Sequence, residues 1–460
     1  MAFMVSISGI RGVVGESLTP ETIVKYASAY AEFCNRGHII VGRDGRITGK
    51  NVLDIVTSTL LQMGCNVTDL GICPTPSVAL AVEKLNAAGG ISITASHNPM
   101  MWNGLKFFAP SGLFLDGDEN QKFWDLAKHS ATYVPWDKQG TYSLNENFLD
   151  EHIRQVLSLS LIESGKIRAR KFKVVLDCVN AAGGIIVPRL LEKLGCEVIP
   201  LFCEVTGIFG HTPEPIPENL TALSAKVREV NADIGIAVDP DVDRLVLINE
   251  KGEPFVEEYT IAMCVKFILE KYSKQQSNID NQQSFKVVVN LSTTRAVEDI
   301  AQQYHAITFR TPVGEINVAK KMREVGAIIG GEGSGGVILP EVHLGRDAIV
   351  GIALVLQSLM EFGGTMSELK AALPHYLITK GKIDLGSLNA DALLKRLQEK
   401  YSSTGKINTD DGLKIDFPKT WVHLRKSNTE PIIRIIAEAP TKAEADELVK
   451  KFTGEILASS

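Results

Sequence analysis

The sequence predicts an α/β protein: three related α/β (mixed-sheet) domains followed by a C-terminal α+β domain. Short β-branched runs alternate with helical periodicity along most of the chain, the mark of sheets layered with helices. One strand–turn–helix–strand pattern recurs three times, and such self-similarity points to repeated units, although a generic βαβ recurrence would look alike. With 460 residues the chain is too long for one core, and ~3–4 domains are expected from length alone.

The first copy of the pattern runs from His38-Ile39-Ile40-Val41 through a charged turn and a helix ending at Leu60-Leu61-Gln62-Met63-Gly64 into Asn66-Val67-Thr68. In the second, Lys173-Val174-Val175-Leu176 leads through Asp177-Cys178-Val179-Asn180 and a helix ending at Leu194-Gly195 to Glu197-Val198-Ile199. The third starts at Lys286-Val287-Val288-Val289, passes Asn290 and a helix from Thr294, and returns at Ala306-Ile307-Thr308-Phe309. After about Gly364 the order changes to helix, strands and a long amphipathic helix from Ala443 to Ile456, which marks the α+β unit. The expected divisions are 1–150, 151–255, 256–366 and 367–460, with the polar stretch Ser273–Ser284 as a surface loop of the third unit.

A net charge of −6 with 45% hydrophobic and 22% charged residues is ordinary for a globular chain. It argues against nucleic acid or an acidic membrane as the main partner, so an anionic ligand must be held by local arginines and lysines. The seven cysteines are scattered and include no C-x-x-C pair, which reads as reduced thiols in a reducing compartment. No signal peptide is apparent, and the apolar stretch Ala348–Met360 is too short to span a bilayer. A cytoplasmic location is expected, as a monomer or homodimer with no membrane partner.

Four segments carry chemistry. Thr94-Ala95-Ser96-His97-Asn98-Pro99 follows the apolar strand Gly90-Ile91-Ser92-Ile93. A serine at such a strand end, beside a histidine and before a proline, is expected to be exposed, held and able to act as a nucleophile. Its hydroxyl needs a base or a metal to assist it. In isolation the segment would equally be an ordinary Ser/Asn/Pro turn.

Asp239-Pro240-Asp241-Val242-Asp243-Arg244 follows the apolar strand Ile234–Val238. Carboxylates at i, i+2 and i+4 of an extended chain project to one side and can converge on one hard cation such as Mg²⁺. Three adjacent aspartates repel one another unless a cation neutralises them. An EF-hand loop is excluded because its sixth position must be glycine, whereas Arg244 stands there and Leu245–Ile248 reads as a strand. A solvated acidic turn is the plain alternative.

Gly331-Glu332-Gly333-Ser334-Gly335-Gly336 brings backbone close to a ligand, with Glu332 and Ser334 offering groups suited to sugar hydroxyls. Arg425-Lys426-Ser427-Asn428-Thr429-Glu430-Pro431, with Arg434 beyond it, is a plausible cradle for a dianionic phosphate. Gly-rich and polar turns without function can look like either. Ser8-Gly9-Ile10-Arg11-Gly12 and Gly42-Arg43-Asp44-Gly45-Arg46 add further arginines, and Lys106 follows the serine loop, where it could neutralise phosphate charge or donate a proton.

With these residues assembled, the chain resembles the α-D-phosphohexomutase family, over essentially its whole length and with all four segments in family order. The resemblance implies four domains around a central active-site cleft, each contributing one loop. It implies that Ser96 is the phosphoserine that gives and receives the phosphoryl group, and that Asp239, Asp241 and Asp243, with phosphorylated Ser96, hold Mg²⁺. It implies a substrate-binding set of Arg244, Glu332, Ser334, Arg425, Ser427, Asn428, Thr429 and Arg434. The implied activity interconverts hexose 1-phosphate and hexose 6-phosphate through a 1,6-bisphosphate, catalytic amounts of which serve as activator.

Two positions depart from the family pattern. Several members read E-x-S-G-H in the sugar loop, where the histidine is a candidate acid/base; here that position is Gly336. Proton transfer then falls to Lys106, Arg11, His97 or His343, with Lys106 preferred. The second-domain turn reads Asn180-Ala181-Ala182-Gly183 where the family often has N-G-A-G. The E-G-S-G-G loop is closer to the E-G-N-G-G form of archaeal-type phosphoglucosamine mutases than to the E-M-S-G-H form of dual glucose/mannose enzymes, which favours glucosamine phosphate over mannose or glucose phosphate. A haloacid-dehalogenase-like phosphatase with Asp239 as nucleophile would lack the Gly-Thr expected after its second aspartate and would leave Ser96 unexplained. A non-catalytic sugar-phosphate-binding protein would have no need of the nucleophile and metal ligands present here.

Overall fold

A computed structural model describes residues 3–276, 284–385, 389–426 and 432–458. Within them are four separate sheets, three mixed and one antiparallel. The first has seven strands in the order Met4–Ser6, Gly9–Val13, Trp102–Phe108, Gly89–Ile93, Ile39–Arg43, Val67–Ile72, Tyr142–Leu144. Its last four strands run parallel to one another, as the crossover helices Gly49–Gln62 and Thr75–Lys84 require. The second sheet orders Leu245–Asn249, Ile234–Val238, Lys173–Asp177 and Glu197–Leu201; the third, Ile307–Thr311, Lys286–Asn290, Ile329–Glu332 and Gly336–Ile338. In both, a parallel core ends in one antiparallel hairpin strand. The three α/β units and the antiparallel C-terminal sheet match the expected class.

Several strands are buried on both faces, which explains their apolar runs: Ile234–Val238 is buried throughout, as are Leu245–Asn249 and Gly89–Ile93. One apolar cluster runs unbroken from Ile40 to Leu373 and joins the first three units. The C-terminal sheet, Leu377–Asp384, Ile432–Ala439, Trp421–Lys426, Leu413–Asp416 and Lys406–Asn408, has its own core, closed by helices Ala390–Tyr401 and Lys442–Leu457. It meets the third unit through polar contacts: Arg295 N–H to Glu438, Val313 N–H to Asp411, and the Ser292 hydroxyl to His423.

One boundary differs from expectation. The stretch expected to loop out from Ser273 begins as helix, because Glu257–Gln276 runs on to residue 276. Lys274 pairs with Glu270 one turn earlier, which supports this last described turn, and residues 277–283 of the stretch lie outside the described residues.

Each of the four chemistry-bearing segments joins two strands that pair antiparallel. The serine segment links Gly89–Ile93 to Trp102–Phe108, and the aspartate segment links Ile234–Val238 to Leu245–Asn249. The glycine loop links Ile329–Glu332 to Gly336–Ile338, and the strands flanking 427–431 pair so that Arg425 lies opposite Arg434. The first three leave the carboxyl ends of strands that also have a parallel neighbour, the edge at which α/β sheets bind ligands.

Candidate active site

Ser96 is buried, 2% exposed, in the left-handed conformation at φ 49°. A serine there stores backbone strain on the order of 1 kcal/mol or more, which surrounding contacts must offset. The expectation of an exposed serine is thereby corrected, and the cause is a buried guanidinium that draws the loop inward. Arg46 donates through Nη2 to the main-chain oxygens of Ser96 (2.6 Å) and Asn98 (2.7 Å), and through Nη1 to those of Pro99 (2.8 Å) and Trp102 (2.9 Å). Its Nε donates to Asp44 Oδ2 at 3.0 Å, so the whole donor fork is engaged. Asp44 Oδ2 also accepts the Thr94 hydroxyl (2.7 Å), whose oxygen in turn accepts the Ser96 N–H (2.8 Å).

The Ser96 hydroxyl donates to Asp239 Oδ2 at 3.1 Å and lies 3.3 Å from His97 Nδ1. Asp239, Asp241 and Asp243 are fully buried, and one ligand oxygen from each lies within 4.8 Å of the others. Their convergence has a different cause from an extended chain. Residues 239–244 form a tight turn, with Val242 at φ 60°, an unusual conformation for a β-branched residue. Asp239 Oδ1 closes the turn by accepting the N–H groups of Asp243 and Arg244, both at 3.1 Å.

Asp241 Oδ2 accepts from the Thr75 hydroxyl (2.7 Å) and Lys106 Nζ (2.6 Å); Asp243 Oδ2 accepts from Lys106 (3.2 Å) and Arg346 Nη2 (2.7 Å). The second oxygens, Asp241 Oδ1 and Asp243 Oδ1, are buried without a hydrogen-bond partner. Buried carboxylate oxygens are costly to leave unpaired. Together with three hard oxygen donors in one turn, they make a set that fits a divalent cation of the Mg²⁺ class. Burial and the two neighbouring carboxylates push Asp239 well above the usual range. Burial also acts upward on Asp241, but the charge and hydrogen bond of Lys106 and the Thr75 hydroxyl bring it below its ordinary value.

The remaining cations of the site are ordered around this centre. Arg11 Nη1 donates to Asn98 Oδ1 at 3.0 Å, and burial lowers its pKa. Arg244 Nε lies 3.9 Å from Asp243 Oδ1. Burial, with the charges of Arg244 and Arg11, pushes His97 down to about 2, so its imidazole is neutral. On Lys106 burial acts downward, but Asp241 and Asp243 outweigh it and the ammonium is held. His343, the fourth candidate for proton transfer, is not in this group. It is buried against Asp347 (3.2 Å), which also accepts from His152 Nε2 (2.7 Å), and His152 Nδ1 meets Ser77 Oγ at 2.8 Å.

Glu332 is 5% exposed and fully engaged: Oε1 accepts from Asn290 Nδ2 (2.8 Å) and Gly314 N–H (3.1 Å), Oε2 from Arg346 Nη1 (2.8 Å). Ser334 occupies the turn between its two strands. At the far side, Arg425 pairs with Asp411 through Nε at 2.8 Å. Ser427, Asn428 and Thr429 lie outside the described residues, and Arg434 is exposed on its strand.

The sequence pattern does not single out three residues of this site: Thr75 and Arg346, which donate to the aspartates, and Glu315, whose Oε2 accepts from Arg346 Nε at 2.9 Å. Arg46, one of the further arginines in the Gly-rich turns, is structural support for the serine loop. A usable signal existed for Arg346. It precedes Asp347, which caps the helix Ala348–Phe362 through Ile349 and Val350 N–H, and so it is fixed at a helix entrance beside the glycine loop.

Comparison with known proteins places this arrangement. Four family models match in order: phosphoglucomutase/phosphomannomutase alpha/beta/alpha domain I over residues 4–133, domain II over 150–252, domain III over 258–376, and the C-terminal domain over 384–455. A probable phosphoglucosamine mutase of Methanopyrus kandleri is 33% identical over 450 residues, 97% of this chain and 96% of that protein. A phosphoglucomutase/phosphomannomutase of Thermococcus kodakarensis is 34% identical over 453 residues, 96% of each. Among solved structures, a phosphoglucomutase/phosphomannomutase family protein of Burkholderia thailandensis superposes with a TM-score of 0.83 at 25% identity, covering 99% of this chain and 98% of that one. All seven cysteines are free thiols, and among the described residues no helix is long and apolar enough to cross a membrane. A serine loop, an aspartate turn and a glycine loop at the carboxyl edges of three α/β sheets, matched end to end by these models, make the chain a member of the phosphoglucomutase/phosphomannomutase family and an enzyme of the phosphohexomutase class.

Proposed function

We propose that this enzyme interconverts hexose 1-phosphates and hexose 6-phosphates through phosphorylated Ser96 and a hexose 1,6-bisphosphate, with glucosamine phosphate as the preferred substrate and Mg²⁺ as the metal. The reading rests above all on the 3.1 Å contact between Ser96 Oγ and Asp239 in a buried aspartate cluster with two unpartnered oxygens. Asp239, Asp241 and Asp243 would hold the metal, which supplies charge neutralisation at the transferring phosphoryl group.

In the forward half-reaction the bond between Ser96 Oγ and phosphorus breaks, and a bond forms from phosphorus to the free hydroxyl of the sugar phosphate. The proton of that hydroxyl passes to a base in the site, and Ser96 Oγ regains one. Lys106, held as an ammonium, is the proposed proton carrier: it gives a proton to Ser96 Oγ as the bond to phosphorus breaks and takes the proton of the sugar hydroxyl in its place, with neutral His97, 3.3 Å from Ser96 Oγ, as the second group in reach. Arg11, Lys106 and Arg244 face the phosphoryl oxygens. The second phosphate of the sugar is taken up by the 425–431 segment, of which 427–431 lie outside the described residues, with Arg425 and Arg434 on the two strands that flank it. The second half-reaction returns the other phosphate to Ser96, so the bisphosphate must reorient within the cleft. A C-terminal unit with its own core and a polar attachment to the third unit suits that turnover.

Glucosamine phosphate is favoured over mannose and glucose phosphates by the E-G-S-G-G loop and by the names of similar proteins, several of which read probable phosphoglucosamine mutase. Coupled assays with the 6-phosphates of glucosamine, glucose and mannose test this. A kcat/KM highest for glucosamine phosphate supports the assignment, and a tenfold preference for either other sugar overturns it.

A further inference from the structure

Two glycines of the sugar loop, Gly333 and the last one, Gly336, are covered by side chains from elsewhere. A Cβ on Gly333 would lie 1.8 Å from Glu258 Oε2, and a Cβ on Gly336 would lie 2.3 Å from Arg346 Cδ. Both contacts are far inside van der Waals distance. In the second case the clash falls on the middle of the arginine stem, and the far end is pinned, so the side chain cannot swing away freely.

That pinning is threefold. Arg346 Nη2 donates to Asp243 of the aspartate turn (2.7 Å), Nη1 to Glu332 of the sugar loop (2.8 Å), and Nε to Glu315 Oε2 (2.9 Å). Glu315 Oε1 also accepts the main-chain N–H of Arg346 at 3.1 Å, so both ends of the residue are held by one carboxylate. Glu332 itself closes the path to the far rim, since its Oε1 accepts from Gly314 N–H, next to Val313, whose N–H donates to Asp411, the ion-pair partner of Arg425.

From this geometry we infer that Arg346 is a positioning residue of the mutase reaction: it takes the room that a side chain at position 336 would fill, and sets the sugar loop at a fixed offset from the aspartate turn. The inference rests on the function proposed above. A planar guanidinium bridging three carboxylates fixes angle as well as distance, which a lysine ammonium does not. A hydroxyl gripped by the sugar loop is then presented at a set place relative to Ser96. Displacement of a reacting group by about 1 Å costs on the order of 10²-fold in rate.

The test combines a double-mutant cycle with product analysis. Gly336→Ala, Arg346→Ala and the double variant are compared for stability in urea and for turnover of whichever 6-phosphate (glucose, mannose or glucosamine) the wild type accepts. Gly336→Ala alone is expected to displace Arg346, so the double variant is no worse than Arg346→Ala, and the two effects fail to add. Arg346→Lys and Glu315→Gln, which keep more of the packing, are expected to lower kcat about 10²-fold while KM changes less than tenfold. They are also expected to release more hexose 1,6-bisphosphate per turnover, read by ³¹P NMR, a leak that a loss of stability alone does not produce. Additive effects in the cycle, or an unchanged bisphosphate leak in both conservative variants, would overturn the inference. If the wild type turns over none of the sugars, the proposed function fails, and the urea cycle still decides whether Gly336 and Arg346 are coupled.

Discussion

Arg46 Nη2 lies 2.6 Å from the main-chain oxygen of Ser96, on the carbonyl of the residue whose hydroxyl faces Asp239. The serine loop is thus held from below by one cation whose own charge is balanced by Asp44. Burying an unpaired charge is costly, so the two residues stand or fall together.

Replacing Arg46 with methionine leaves Asp44 buried and unpaired, and is expected to destabilise the enzyme by ~3–5 kcal/mol. Arg46→Lys keeps the charge but cannot serve four carbonyls spread over residues 96–102. It should lower kcat by about 10²-fold through misplacement of Ser96, with metal affinity unchanged. Urea denaturation and steady-state kinetics check the pair; a lysine variant of full activity would refute the positioning role.

Thr75 donates its hydroxyl to Asp241 from the first unit, while its N–H donates to the main-chain oxygen of Asp241 at 2.9 Å. Removing the hydroxyl in Thr75→Val leaves the turn in place but frees the Asp241 carboxylate proposed to hold the metal. Mg²⁺ affinity measured by calorimetry should fall about 10–100-fold, as for other partners of metal ligands. The affinity of Asp241→Asn should fall further, since it removes one of the three charges proposed to hold the metal.

His423 is fully buried, with Nε2 on the main-chain oxygen of Asp411 (2.7 Å) and Nδ1 on Ser292 Oγ (2.9 Å). Burial, assisted by the charge of Arg425, pushes it down to about 4 from 6.5, so the folded protein holds it neutral. Between pH 6.5 and 4 the unfolded chain binds more protons at this site than the folded one. The contribution is therefore complete above 6.5 and lost as pH falls toward 4, by ~3 kcal/mol at most. Urea midpoints at pH 7 and pH 4.5 should fall further apart in the wild type than in His423→Gln; equal separation would remove this histidine from the account.

Much of this was legible in the sequence because it depends on local pattern. The strands Ile234–Val238 and Leu245–Asn249 were readable from their apolar runs, and the aspartates from their spacing. The path of the chain between them was not. Three carboxylates converge through a turn that puts Val242 at φ 60°, a conformation that valine's own preference opposes and that tertiary contacts impose, including the Ala348 N–H on its carbonyl at 3.2 Å. Burial of Ser96 was equally hidden, since it depends on Arg46, fifty residues earlier in the chain. The role of Arg346 could not be read from the glycine loop because the loop only records the space that the arginine fills. What long-range packing decides, a single sequence carries only as unexplained glycines and isolated charges.

The central claim is transfer of the phosphoryl group through Ser96, and ³¹P NMR tests it most directly. The enzyme is incubated with Mg²⁺, a trace of hexose 1,6-bisphosphate, and the 6-phosphate of glucosamine, glucose or mannose in turn. The account predicts a new hexose 1-phosphate resonance that is absent with Ser96→Ala, and a phosphoserine signal on the wild-type protein alone. Unimpaired 1-phosphate formation by Ser96→Ala, or release of inorganic phosphate in place of the 1-phosphate, would contradict it.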